Sequence, residues 1–160
     1  MSEAVPTRQT YTQSPIILTT ARVMAPFVLT YGLFITFHGA DSPGGGFQGG
    51  VIIATTVYLI AFTFGVEPTR DWVGHRTMAV LAAGGVIVFT GVGLAALALG
   101  GRFLEYAVFE PLVGLPTNEV VKWGMETIEI GGIAAIIAGV VMAIVFLTAG
   151  GYRPDGGDDR

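Results

Sequence analysis

Four long stretches without a charged side chain decide what this chain can fold into. No Asp, Glu, Lys or Arg occurs between Arg22 and Asp41, between Asp41 and Glu67, between Arg76 and Arg102, or between Glu129 and Arg153. Each stretch is mostly apolar, and about 20 helical residues cross a bilayer core of roughly 30 Å. The pattern predicts an all-α membrane protein with four transmembrane helices, over residues 16–37, 46–65, 77–100 and 119–149. The last exceeds what a bilayer needs, so its first turns are expected to project into water or partner protein. The runs do not alternate apolar and polar residues, which argues against a β-barrel, and four of them argue against a helix lying on the membrane surface.

Composition closes off other classes. Only 12% of the 160 residues are charged, about half of what a soluble domain carries. A nucleic-acid binder would need a basic face, and the formal charge is −4. With no cysteine, disulfides, Cys-ligated metals, iron–sulfur clusters and thiol nucleophiles are excluded. Two widely separated histidines do not make a metal site, and no cofactor is expected. The chain divides into a polar segment (1–14), a four-helix membrane domain (15–150) and a polar tail (151–160) expected to be disordered. The polar start lacks the basic-then-apolar order of a cleaved signal peptide.

Local signals mark the helix ends. Ser14 and Pro15 suit a cap and a first helical position. Ser42-Pro43 and the following glycines force a turn. Gly65 and Pro68 are expected to close the second span and Gly100-Gly101 the third. Thr117 or Asn118 is expected to cap the fourth, and Gly150-Gly151 to end it. Arginine and lysine set the orientation. With both termini cytoplasmic, the inner side carries Arg8, Arg22, Arg70, Arg76, Arg153 and Arg160, and the outer side only Arg102 and Lys122. The outer side also holds Asp41, Glu105, Glu110, Glu119, Glu126 and Glu129, so the whole net charge falls on one face, where it concentrates cations.

The most specific stretch is His38-Gly39-Ala40-Asp41-Ser42-Pro43-Gly44-Gly45-Gly46-Phe47-Gln48-Gly49-Gly50. Physically it is a tight turn followed by a helix start that neighbouring backbone can approach closely. Gly46, Gly50 and Ala54 form a small-residue stripe. A phosphate loop would need Lys-Ser/Thr after the glycines, and none follows. The stretch resembles the G-H-x-x-P-G-G-G-F-x-G-G signature of the MnhB/MrpB family, the B-type subunits of multisubunit cation/proton antiporters. Pro43, Gly44, Gly45, Gly46, Phe47, Gly49 and Gly50 match as they stand, whereas Gly-His is inverted to His38-Gly39. Thr127-Ile128-Glu129-Ile130-Gly131-Gly132 is similar to the family's L-F-D-I-G-V, with Glu129 on its Asp. The resemblance implies a four-span accessory subunit of the cell membrane. Its partners would be other membrane subunits and lipid, with Na⁺ and H⁺ as transported ions. Related subunits occur in membrane-bound hydrogenases and other complex-I-like pumps, and that alternative stays open at this level.

Charges inside the spans are the candidate ion-path residues. A charge at a helix centre costs about 2.5–3.5 kcal/mol on insertion scales and persists where it has a partner or a task. Arg22 either snorkels to the headgroups or sits beside an ion path. Pro26, four residues on, frees the Arg22 carbonyl. Glu126 and Glu129 are three apart on one helix face, where two carboxylates would share a proton. Counting back from Ala149 places them at the outer bilayer boundary. Topology predicts that His38, Asp41, Glu126 and Glu129 converge at the outer mouth; otherwise His38 is a helix-end cap.

Further small residues, Gly131, Ala135 and Gly139 in span four and Gly91 and Ala95 in span three, predict close helix packing. Some of these stripes, the glycine hairpin above all, are expected to meet other subunits. No nucleophile or metal constellation marks an enzyme, and no internal repeat marks a lone carrier.

Overall fold

The computed structural model describes residues 14–39 and 45–151. Asp41, Pro43 and Gly44, the segment 1–13 and the tail 152–160 lie outside the described residues. Four helices are long and apolar enough to cross a membrane: Pro15–Phe37, Gly45–Phe64, His75–Ala98 and the run Thr117–Ala149. They correspond to the four expected spans to within two residues at every end.

Helix α1 (Pro15–Phe37) and α2 (Gly45–Phe64) form a hairpin. A short amphipathic helix, α3 (Val66–Val73), leads into α4 (His75–Ala98). The connector to the fourth span carries a 3-10 turn (Tyr106–Phe109) and α5 (Glu110–Val113). The fourth span is α6 (Thr117–Thr127), a π-helical segment (Ile128–Ala134) and α7 (Ala135–Gly151). The spans stand in a row: α1 packs on α2, α2 on the π segment and α7, and these on α4. The core is Ala54 and Ala61 from α2, Met78 from α4, and Ala138, Met142 and Phe146 from α7. Tyr58 ties two spans together by donating its hydroxyl to the Val141 carbonyl. Buried threonines donate to carbonyls four residues earlier (Thr36 to Gly32 at 2.8 Å, Thr56 to Ile52 at 3.1 Å), so no hydroxyl from these two is stranded in apolar surroundings.

Several helix ends differ from expectation. Pro15 takes the first position of α1, but the Ser14 side chain makes no capping bond. Pro68 does not terminate the second span; Gly65, at φ +113°, ends it, and Pro68 falls in the first turn of α3, where proline's missing N–H has no partner to lose. Pro116 occupies the cap position of α6 without a side-chain cap, and the Thr117 hydroxyl donates instead to Glu110. The end of α4 is as expected. Gly100 lies at φ +85°, its N–H bonds Leu97 at 3.0 Å, and the Gly101 N–H bonds Ala96 at 3.0 Å, the paired pattern of a Schellman motif.

Candidate site at the glycine hairpin

The π segment brings Glu129 against the open end of the α1–α2 hairpin. A Cβ placed on Gly39 would fall on the Glu129 Oε2 atom, and one on Gly45 would lie 2.6 Å from Oε2 and 2.7 Å from Oε1. A Cβ on Gly46 would fall on the Glu129 carbonyl oxygen and lie 3.0 Å from the Ala134 nitrogen. Gly39 and Gly45 therefore form a notch occupied by one carboxylate, and Gly46 makes room for the backbone of the same residue. Gly45 is also at φ +61°, so any other residue would be strained there as well as crowded. One turn along, Gly50 faces the Ala134 carbonyl, 2.8 Å from a Cβ position, and Gly49 sits on Thr36.

This corrects the expectation that a foreign polypeptide fills the hairpin seam. The Gly46, Gly50 and Ala54 stripe is covered by the chain's own fourth span. Gly131 packs on Val88, and Gly139 faces the Met78 carbonyl, so that stripe is internal too. Gly91 is different: nothing lies within 4 Å of its Cβ position, and Ala95 beside it is exposed.

Glu129 Oε2 is buried and has no hydrogen-bond partner among the described residues. An unpaired polar atom held away from water is expensive, and a buried carboxylate oxygen in that position is suited to take a proton or an ion. The π segment supplies the second signal. Such insertions are rare and concentrate at functional positions.

The other predicted residues are dispersed around this point. Glu126 lines a shallow groove with Trp123, Thr127, Ile130 and Gly131, whereas Glu129 turns into the notch. His38 Nδ1 donates to the Phe34 carbonyl at 2.9 Å, and its ring stacks on Phe34 at 4.1 Å between centroids, the helix-end role among the two expected for it. Arg22 lies at the far end of α1, about 24 Å along the axis from His38, with its guanidinium 5.4 Å from the centre of the Phe64 ring. It does not join the acids. Phe47 is 56% exposed and points away from the notch that its glycine neighbours build.

Sequence reasoning missed Tyr106. Its ring covers Gly124, where a Cβ would meet the ring carbons, and Phe103 seats on Gly93 in the same way while stacking obliquely with Phe89 at 6.1 Å. The connector is thus docked on the helices at two glycines. Between it and α6 lies an apolar cavity of about 230 Å³ lined by Val92, Tyr106, Phe109, Val120, Trp123 and Thr127. Burial, and then the charge of Glu129, raise the Tyr106 hydroxyl above its ordinary pKa. The residues that could have signalled this were Gly93 and Gly124, small positions opposite aromatics, but nothing in the sequence pairs them.

Four helices long and apolar enough to cross a membrane place the chain, by class, with multi-pass helical membrane proteins. The comparisons are specific. The family model described as a domain related to the MnhB subunit of Na⁺/H⁺ antiporters matches residues 16–150. The B-type subunit of the Na(+)/H(+) antiporter of Bacillus subtilis is 26% identical over 137 residues, 84% of this chain and 92% of that protein. A Staphylococcus aureus protein named as antiporter subunit mnhB2 is 25% identical over 142 residues, 87% of this chain and 97% of that one. An uncharacterized protein of Methanocaldococcus jannaschii is 33% identical over 91 residues, 57% of this chain but only 34% of its own length. The chain belongs to the MnhB family.

Proposed function

We propose that this chain is the B-type subunit of a multisubunit Na⁺/H⁺ antiporter in the cell membrane, with both termini cytoplasmic. It has no enzymatic chemistry of its own. It scaffolds neighbouring membrane subunits, and Glu129 stands on the route of the transported cation. The observation that carries the ion-path reading is the buried Glu129 Oε2 atom at the glycine notch, which has no hydrogen-bond partner among the described residues. His38 and, by sequence, Asp41 belong to the turn end of the hairpin, and Glu126 lies one helical turn before Glu129 on the fourth span; in this reading the three form the approach. The motif residues Gly45, Gly46, Gly49 and Gly50 support this reading as the wall of the site, because each lacks the side chain that would displace Glu129, Thr36 or the π segment.

The scaffolding role rests on what the chain leaves uncovered. On α1, Phe27, Phe34 and Phe37 are 66%, 53% and 56% exposed, and a helix packed mainly on one neighbour leaves the rest of its surface to lipid or to other subunits. Purification in mild detergent tests the subunit reading. Other membrane subunits should accompany the chain, and liposomes holding it alone should show no Na⁺ flux. A chain that purifies alone and moves Na⁺ unaided contradicts it.

A further inference from the structure

Away from Glu129, one face of the α4–α7 pair carries an open groove of about 330 Å³. Its residues keep helical spacing on both sides: His75, Ala79 and Ala82 on α4, and Gly139, Ala143 and Leu147 on α7. The groove exists because its floor is small. At Gly139 the two backbones nearly touch, a Cβ position there lying 2.7 Å from the Met78 carbonyl oxygen and 2.8 Å from the Ala82 nitrogen. Alanines continue the floor toward His75, and Ile144 and Leu147 stand exposed along one wall.

The groove has the depth of one leaflet. His75, which begins α4, and Leu147, near the end of α7, mark its open end. Gly139 marks the other, ten residues before the end of the fourth span at Ala149. That is about 15 Å along the helix, half of a bilayer core of about 30 Å. There the groove is closed. Ile136, one turn further on the same face of α7, seats on Gly85, whose Cβ position lies 2.7 Å from Ile136 Cγ1. A membrane-crossing helix of another subunit would press on the pair through both leaflets, whereas an acyl chain ends at the midplane.

The open end is basic. His75 lines it, Arg76 follows at the same level, and both are exposed. The Arg76 guanidinium has no ion pair among the described residues. Among the same residues, the acids of this end, Glu67 and Asp71, belong to α3, which packs mainly on α2. Trp72 and Val73 of α3 border a separate groove with Thr77, and Thr77 is about 140–160° round α4 from His75, Ala79 and Ala82. We propose that the α4–α7 groove holds an acyl chain of an anionic phospholipid, with the phosphate at His75 and Arg76. The lipid belongs to the leaflet where α1 starts and α7 ends, which the proposed topology makes cytoplasmic. An apolar slot of leaflet depth with an unpaired cation at its headgroup end is complementary to that molecule. The inference rests on the four spans and is independent of the role of Glu129.

The test places the chain, with the subunits that co-purify with it, in phosphatidylcholine nanodiscs. A trace of phosphatidylglycerol or of phosphatidylcholine carries a photoreactive diazirine in its acyl chain, and crosslinked peptides are read by mass spectrometry. The phosphatidylglycerol probe should mark residues 75–82 and 139–147 about fivefold more than the phosphatidylcholine probe. Arg76→Gln, a surface change that leaves the groove intact, should bring the two probes to equality. Ala143→Leu, which fills the floor, should remove marking of the groove by both probes and leave marking around the exposed Phe27 of α1 unchanged. Equal marking by the two probes in the native protein, or a preference that survives Arg76→Gln, would overturn the anionic-lipid assignment. Absence of lipid marks at these residues would overturn it too, and crosslinks from them to a neighbouring subunit would name a protein as the occupant instead.

Discussion

A single added methyl group separates the glycines that build the site from those that do not. At Gly46 it would land on the Glu129 carbonyl; at Gly91 nothing lies within 4 Å. Overpacking a tight contact costs about 1–3 kcal/mol, while an open position tolerates the same change within about 0.5 kcal/mol. Gly46→Ala should therefore lower the melting temperature or the yield of the detergent-purified complex, and Gly91→Ala should leave both unchanged. Equal behaviour of the two would mean that the notch is looser than described. Tyr58 offers a separate check. Its bond to the Val141 carbonyl joins α2 to α7, so Tyr58→Phe should lose about 1 kcal/mol of stability, read as a modest fall in melting temperature.

At the scale of elements, the π segment decides where Glu129 points. A π insertion adds one residue to a turn, and deleting one residue there should restore an α-helix and rotate everything before it by about 100° relative to α7. Deletion of Gly131 should carry Glu129 out of the notch, reduce Na⁺/H⁺ exchange strongly and speed carbodiimide labelling. Retained exchange would show that the carboxylate's direction is immaterial.

The same segment marks the limit of what the sequence discloses. The spans were legible because charge spacing and helix length are direct consequences of bilayer thickness. The meeting of the glycine hairpin with span four was legible as a topological expectation, since both lie at the same end of their helices. The register of that meeting was not. Nothing in Ile128-Glu129-Ile130-Gly131-Gly132 distinguishes an α turn from a π turn, and the difference separates Glu129 from Glu126. The seam's occupant was misjudged because small stripes record close approach without recording whose backbone approaches. Tyr106 was hidden for a related reason: its seat on Gly124 depends on how residues 99–116 fold back, and that rests on two aromatic-to-glycine contacts, Phe103 on Gly93 and Tyr106 on Gly124, that no sequence pattern pairs.

For the whole molecule, the row of helices leaves wide apolar faces on both sides, which suits a protein standing between lipid and neighbouring subunits. The basic residues predict its orientation. Because the chain has no native cysteine, single cysteines report sidedness cleanly. In intact cells a membrane-impermeant maleimide should label Leu112→Cys, on exposed α5, and should reach Asp159→Cys only after permeabilisation; the reverse pattern would invert the proposed topology. The central claim is that Glu129 stands on the cation route of an antiporter complex, and exchange by Glu129→Gln measures it most directly. In membrane vesicles containing the assembled complex, with partner subunits co-purifying at native levels, Na⁺/H⁺ exchange should fall at least about tenfold, since removing an essential charge that contacts the ion is worth more than about 1.4 kcal/mol. Exchange at the native rate in a fully assembled Glu129→Gln complex would contradict the account.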